Sequence, residues 1–185
     1  MGLSDFFKKK DEKKEKEIPD LLKPKPCPTP ISPEITLEID KISWQGFGTA
    51  YGNTRNTIPY YLKNLFCSDL EVAKGAAHQL WCSLCHQHAF ISSAALPSYD
   101  ILKTGLLVLH DDLKFEILDI FVGFAFCMSQ EYITKPNELV DWEKELQQKL
   151  INDRRLFNEL SIHNDEDISR LAQELCSQLD NTKPY

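Results

Sequence analysis

Cysteine and histidine gather at Cys82-Ser83-Leu84-Cys85-His86, with His78 and His88 on either side. The C-x-x-C-H spacing is that of covalent haem attachment, and mixed Cys and His donors also build structural zinc sites. Neither chemistry is well served here. Attachment of that haem type takes place outside the cytosol, and no apolar leader with a small-residue cleavage site opens the chain. A four-ligand zinc site needs a second C-x-x-C or an H-x3-H pair, and the sequence offers neither. Leu84 falls on the apolar stripe of a helix, where cysteine packs as a small hydrophobe. The cluster therefore reads as helical core, and no metal or cofactor is expected.

A second candidate is acidic. Asp111 and Asp112 precede Glu116 and Asp119, and Asp112 and Glu116 stand one helical turn apart, close enough for a cation or an acid/base pair. The same spacing describes a helix N-cap followed by a solvated face. No Gly-rich phosphate loop, G-x-S-x-G or H-E-x-x-H motif is present. No catalytic residue is assigned, and the chain is read as a non-enzyme.

The elements that carry these residues repeat. Ile58-Pro59-Tyr60-Tyr61-Leu62 returns as Leu96-Pro97-Ser98-Tyr99-Asp100, and Asp69-Leu70-Glu71-Val72 returns as Asp112-Leu113-Lys114-Phe115. Each copy reads as an apolar helix with an early proline, a short turn, and a second helix opened by aspartate. Helical hairpins repeating at roughly 40 residues are the signature of HEAT-like stacks. The expected fold is all-α: a short HEAT-like α-solenoid spanning 34–185, with repeats at about 53–88 and 92–129. Further helices are expected at about 134–160 and 165–180. The second helix of the first repeat carries Val72, Ala76, Leu80 and Leu84 as an i, i+4 stripe. Its counterpart through Phe115, Leu118, Phe121, Val122 and Ala125 is apolar on almost every side and belongs in the middle of the stack. The segment from Glu34 to Trp44 alternates like a strand at Ile35, Leu37 and Ile39, yet Ser32-Pro33-Glu34 is a helix start.

Residues 1–33 form a separate tail, with a Lys/Glu run from Lys8 to Glu17 and prolines at 19, 24, 26, 28, 30 and 33. Such proline density forbids a packed helix and predicts a flexible, extended segment. Leu3, Phe6 and Phe7 before three lysines give it at most a weak membrane contact. No apolar run is long enough to span a bilayer, so no stable membrane insertion is expected. Six cysteines without an export signal read as reduced thiols in the cytoplasm. Charge is uneven: Met1 to Pro26 carries eight lysines against six acids, and the remainder 13 basic against 22 acidic residues, a net of −9. An acidic body makes a poor nucleic-acid binder and suits a basic protein partner.

Four stretches carry a resemblance: Thr49-Ala50-Tyr51-Gly52, Ile58-Pro59-Tyr60-Tyr61-Leu62, Asp69-Leu70-Glu71-Val72-Ala73, and His86-Gln87-His88 leading into Ala94-Ala95-Leu96-Pro97. Over roughly Glu38 to Met128 the chain resembles bacterial HEAT-repeat proteins, in which an A-Y-G turn precedes an x-P-x-x-L helix and an H-Q-G turn leads into the next. His88 stands where that group has glycine. The resemblance implies an immunity protein of the polymorphic or contact-dependent growth inhibition systems. Such a protein binds and neutralises a cognate toxin domain, here a basic and nuclease-like one. The alternative is a HEAT-repeat scaffold with no toxin partner. On the immunity reading, Glu71, Asp112, Glu116 and Asp119 would meet the partner, with Tyr51, Tyr60 or Tyr61 as anchors unless they pack in the core.

Overall fold

The computed structural model describes residues 32–53, 57–129 and 139–181. Within them the chain is helical: α1 (Pro33–Lys41), α2 (Thr57–Leu65), α3 (Leu70–Leu84), α4 (Ala95–Val108), α5 (Asp111–Cys127), α6 (Asp141–Asn152), α7 (Arg154–Leu160) and α8 (Glu166–Asp180). A two-residue antiparallel pair, β1 (Gly48–Thr49) with β2 (Gly52–Asn53), sets a tight turn before α2. The expected tail and the start of the 134–160 helix lie outside the described residues.

Local chemistry explains most boundaries. Pro33 sits at the first position of α1, where its missing N–H costs nothing, and Ile35 and Ile39 point inward. The helical start therefore prevails over the strand-like alternation. Asp69 caps α3 by accepting from the Glu71 and Val72 amides, and Asp165 caps α8 by accepting from Asp167 and Ile168. At α5 the expected cap moves. His110 accepts from the Asp112 amide, so Asp112 lies inside the first turn, where its charge complements the helix dipole. One long helix over 134–160 is replaced by α6 and α7, with the break at Asp153. No proline or glycine marks that break. Tertiary bonds hold it, because Asp153 accepts from the Tyr99 hydroxyl at 2.9 Å and from Lys103 at 3.0 Å.

The helices form two layers. α3, α5 and α8 lie side by side with α5 in the middle, while α2, α4, α6 and α7 pack behind or beside them. The composition of α5 dictates its place: Ile117, Leu118, Phe121, Val122, Phe124 and Ala125 are all essentially inaccessible to solvent. A cluster of rings fills its rear, with Tyr99 stacked on Phe121 at 5.1 Å and Phe157 edge-on to Phe121 at 5.8 Å. No described helix is long and apolar enough to cross a membrane.

Cysteine usage departs from the expectation. Cys82, Cys85, Cys127 and Cys176 are free, but Cys67, buried in the α2–α3 turn, is disulfide-bonded. Its partner lies outside the described residues. Pairings of this kind cannot be deduced from spacing alone.

Candidate functional site

The four carboxylates singled out by sequence are distributed over adjacent helices α3 and α5, and they differ in state. Glu71 is exposed on the first turn of α3. Asp112 is engaged within the protein: Lys74 of α3 lies 2.5 Å from its carboxylate. That pair holds the Asp112 carboxyl below, and the Lys74 amine above, its ordinary range. Glu116 is half-buried on the next turn of α5, and burial pushes its carboxyl up, with repulsion from Asp119 adding to the effect. Asp119 completes the row and faces His88. Glu71 and Glu116 thus remain open to a partner, whereas Asp112 is paired with Lys74 and Asp119 with His88.

His88 links the two helices. Its Nε2 lies 3.0 Å from the Asp119 backbone oxygen and 3.3 Å from its carboxylate. Asp119 raises the His88 pKa above the usual imidazole value, outweighing desolvation, and the Glu174 charge on α8 adds to it. Trp81 Nε1 also lies 3.4 Å from the same Nε2. One nitrogen cannot accept from Trp81 and donate to Asp119 together. The shorter distances favour an Nε2–H donating to Asp119.

The backbone here is strained. His86 has φ 40 and His88 has φ 61, the left-handed region that glycine adopts freely and other residues, histidine included, adopt uncommonly. His88 therefore holds a backbone conformation that glycine adopts more readily. Gly123 on α5 gives the turn room, since a Cβ there would stand 2.5 Å from His88 Cδ2 and 2.9 Å from Cys85 Sγ.

The C-x-x-C-H side chains diverge. Cys82 Sγ lies 3.7 Å from His78 Nε2. Cys85 is buried, with its thiol donating to the Trp81 carbonyl, and burial pushes its pKa far up. His86 turns instead between Tyr51 and Phe90. Among the described residues no three Cys, His, Asp or Glu side chains converge as a metal would need.

Sequence spacing did not reveal the strip of rings these residues form. Phe90 contacts His86, and His86 contacts Tyr51, whose side chain comes near enough to Cys82 to oppose the rise that burial gives its thiol pKa. Beyond Cys82 the strip continues through His78, stacked on Trp81 at 5.7 Å, and then His88, 6.1 Å from Trp81, to Asp119. Of the three tyrosines considered as anchors, Tyr61 is core, Tyr60 packs against the core, and Tyr51 is 68% exposed. No partner spacing in the sequence joins Tyr51 to Trp81, because two loops fold over the end of α3 to bring them together.

Elsewhere, an open groove of about 430 Å³ lies between α1, α4 and α6, floored by Ile42, Phe47, Leu96 and Ile101. Glu38 and Glu145 stand on its rim, and its lysine, Lys149, is paired with Asp100 at 2.9 Å.

No family model, curated protein or solved structure matches this chain.

Proposed function

We propose that this is a protein-binding module of HEAT-like build, an immunity protein that blocks a cognate, basic toxin domain. The observation that carries the reading is the row of carboxylates on the adjacent helices α3 and α5, where Glu71 is exposed, Glu116 is half-buried, and Asp112 and Asp119 hold their charge against Lys74 and His88. Layered helices supply surface rather than a reaction pocket, which favours binding over catalysis. The surplus of acid in the body would speed the approach of a basic partner and mask its cleft. Nucleic acid is disfavoured as a ligand for the same reason. A scaffold with no toxin partner is the competing reading, and it makes no demand on this row.

The test is co-expression with the C-terminal domain encoded by the gene immediately upstream. Rescue of growth and a stable one-to-one complex support immunity. Normal toxicity and no complex would remove it and leave the scaffold reading. The cytoplasmic location belongs to the same proposal, and the Cys67 disulfide is the observation that pulls toward an oxidising compartment.

A further inference from the structure

The exposed end of the ring strip is built rather than frayed. Tyr51 sits at the tip of the β1–β2 turn, which is pinned to the end of α3 and the start of α4. The Ala50 amide donates to the Ser83 carbonyl at 3.2 Å, the Gly48 amide to Ser93 Oγ at 2.8 Å, and the Ala94 amide to the Gly48 carbonyl at 3.2 Å. Phe90, 42% exposed, flanks the other side of the His86 ring. His86 holds a left-handed backbone, and its Nδ1 is shut from solvent with no hydrogen-bond partner. Both features oppose folding, and strain or unmet polar groups of this kind concentrate where a surface is kept for binding. Exposed aromatic rings on a fixed frame are also what an interface uses as anchors.

We infer that this ring strip is the anchor of the partner interface and that it seats an arginine-rich loop, its guanidinium groups lying against the rings and reaching Glu116 at the α5 end. The inference rests on the partner-binding reading and adds the chemistry of the contact. Charge complementarity selects a cation: the strip ends at the His88–Asp119 pair, beside which Glu116 stands, on a body with a net of −9 beyond Pro26. Ring faces then select arginine over lysine. A guanidinium is planar, weakly hydrated and able to stack while forking onto a carboxylate, whereas an ammonium is a compact, strongly hydrated point charge.

The full chain, labelled with ¹⁵N, is titrated with hexa-arginine and, separately, with hexa-lysine. The readout is the set of indole N–H signals of Trp44, Trp81 and Trp142, with Trp81→Phe identifying the strip signal. Hexa-arginine is expected to move the Trp81 signal saturably and to bind about fivefold more tightly than hexa-lysine, the scale of one exposed cation–π contact. The double variant Tyr51→Ala/Phe90→Ala removes two exposed rings and should weaken hexa-arginine about tenfold. The signal of Trp44, which is buried in the core, should stay in place and show that the variant is folded. Equal titration by the two peptides, a still Trp81 signal, or an undiminished affinity in the folded double variant would each overturn the inference. The titration needs no toxin domain. A positive titration without growth rescue therefore sinks only the immunity reading, and rescue without peptide selectivity sinks only this one.

Discussion

His88 carries three constraints at once: a left-handed backbone, a bond to Asp119, and a ring packed against Gly123. Its folded pKa is raised above the unfolded value near 6.5. The stability gained from the pair is therefore fully present below pH 6.5 and is lost as pH rises through the higher folded value. The pair is partly exposed and screened, so the loss is about 0.5 kcal/mol. Urea unfolding across this pH range should show the decline in the native protein and none in His88→Gln; an identical slope in both would remove the pair as its cause. Glu116 points the same way, since burial and Asp119 raise its carboxyl pKa. Replacing it with glutamine should stabilise the protein at neutral pH by about 0.5 kcal/mol while weakening a basic partner. Calorimetry beside a binding titration would show both changes, and a loss of stability would contradict the desolvation argument.

At the scale of elements, two joints decide the geometry. Gly123 lets the strained turn sit against α5, so Gly123→Ala should cost about 1–3 kcal/mol by overpacking His88 and Cys85. A thermal melt unchanged from wild type would show that the turn can move aside. Tyr99, fully buried, fastens α4 to the α6–α7 break through Asp153 and the Lys149 carbonyl. Tyr99→Phe should cost about 1 kcal/mol, measured by denaturant midpoint, because it unpairs part of Asp153 without leaving a cavity. These joints also mark the limit of sequence reading. Asp69 and Asp165 announce α3 and α8 through their own side chains, and the apolar circumference of α5 announces its burial. Those signals are local. The Asp153 break and the β1–β2 turn are set by residues 50 or more positions away or by backbone pairing, so periodicity passes over them. The acidic row was legible as residue types, but the Lys74 bond to Asp112 was not, since it crosses from one helix to another.

Over the whole molecule, the layered helices set the carboxylates of α3 and α5 in one row. If partner capture uses that row, association should slow steeply with salt, and Glu116→Lys/Asp119→Lys should lower the on-rate more than it raises the off-rate. Stopped-flow rates that ignore ionic strength would exclude electrostatic steering. The free thiols offer a different use of the same architecture. Cys85, just past the end of α3 against Gly123, and Cys127, the last residue of α5, are both buried, the latter with its pKa pushed up to about 12. Cys82 and Cys176 are partly exposed. Alkylation would therefore proceed in two waves, and the second wave would be a clock for the parting of α3 from α5. The chain carries its own stopwatch for unfolding, readable by mass without a dye or a mutation.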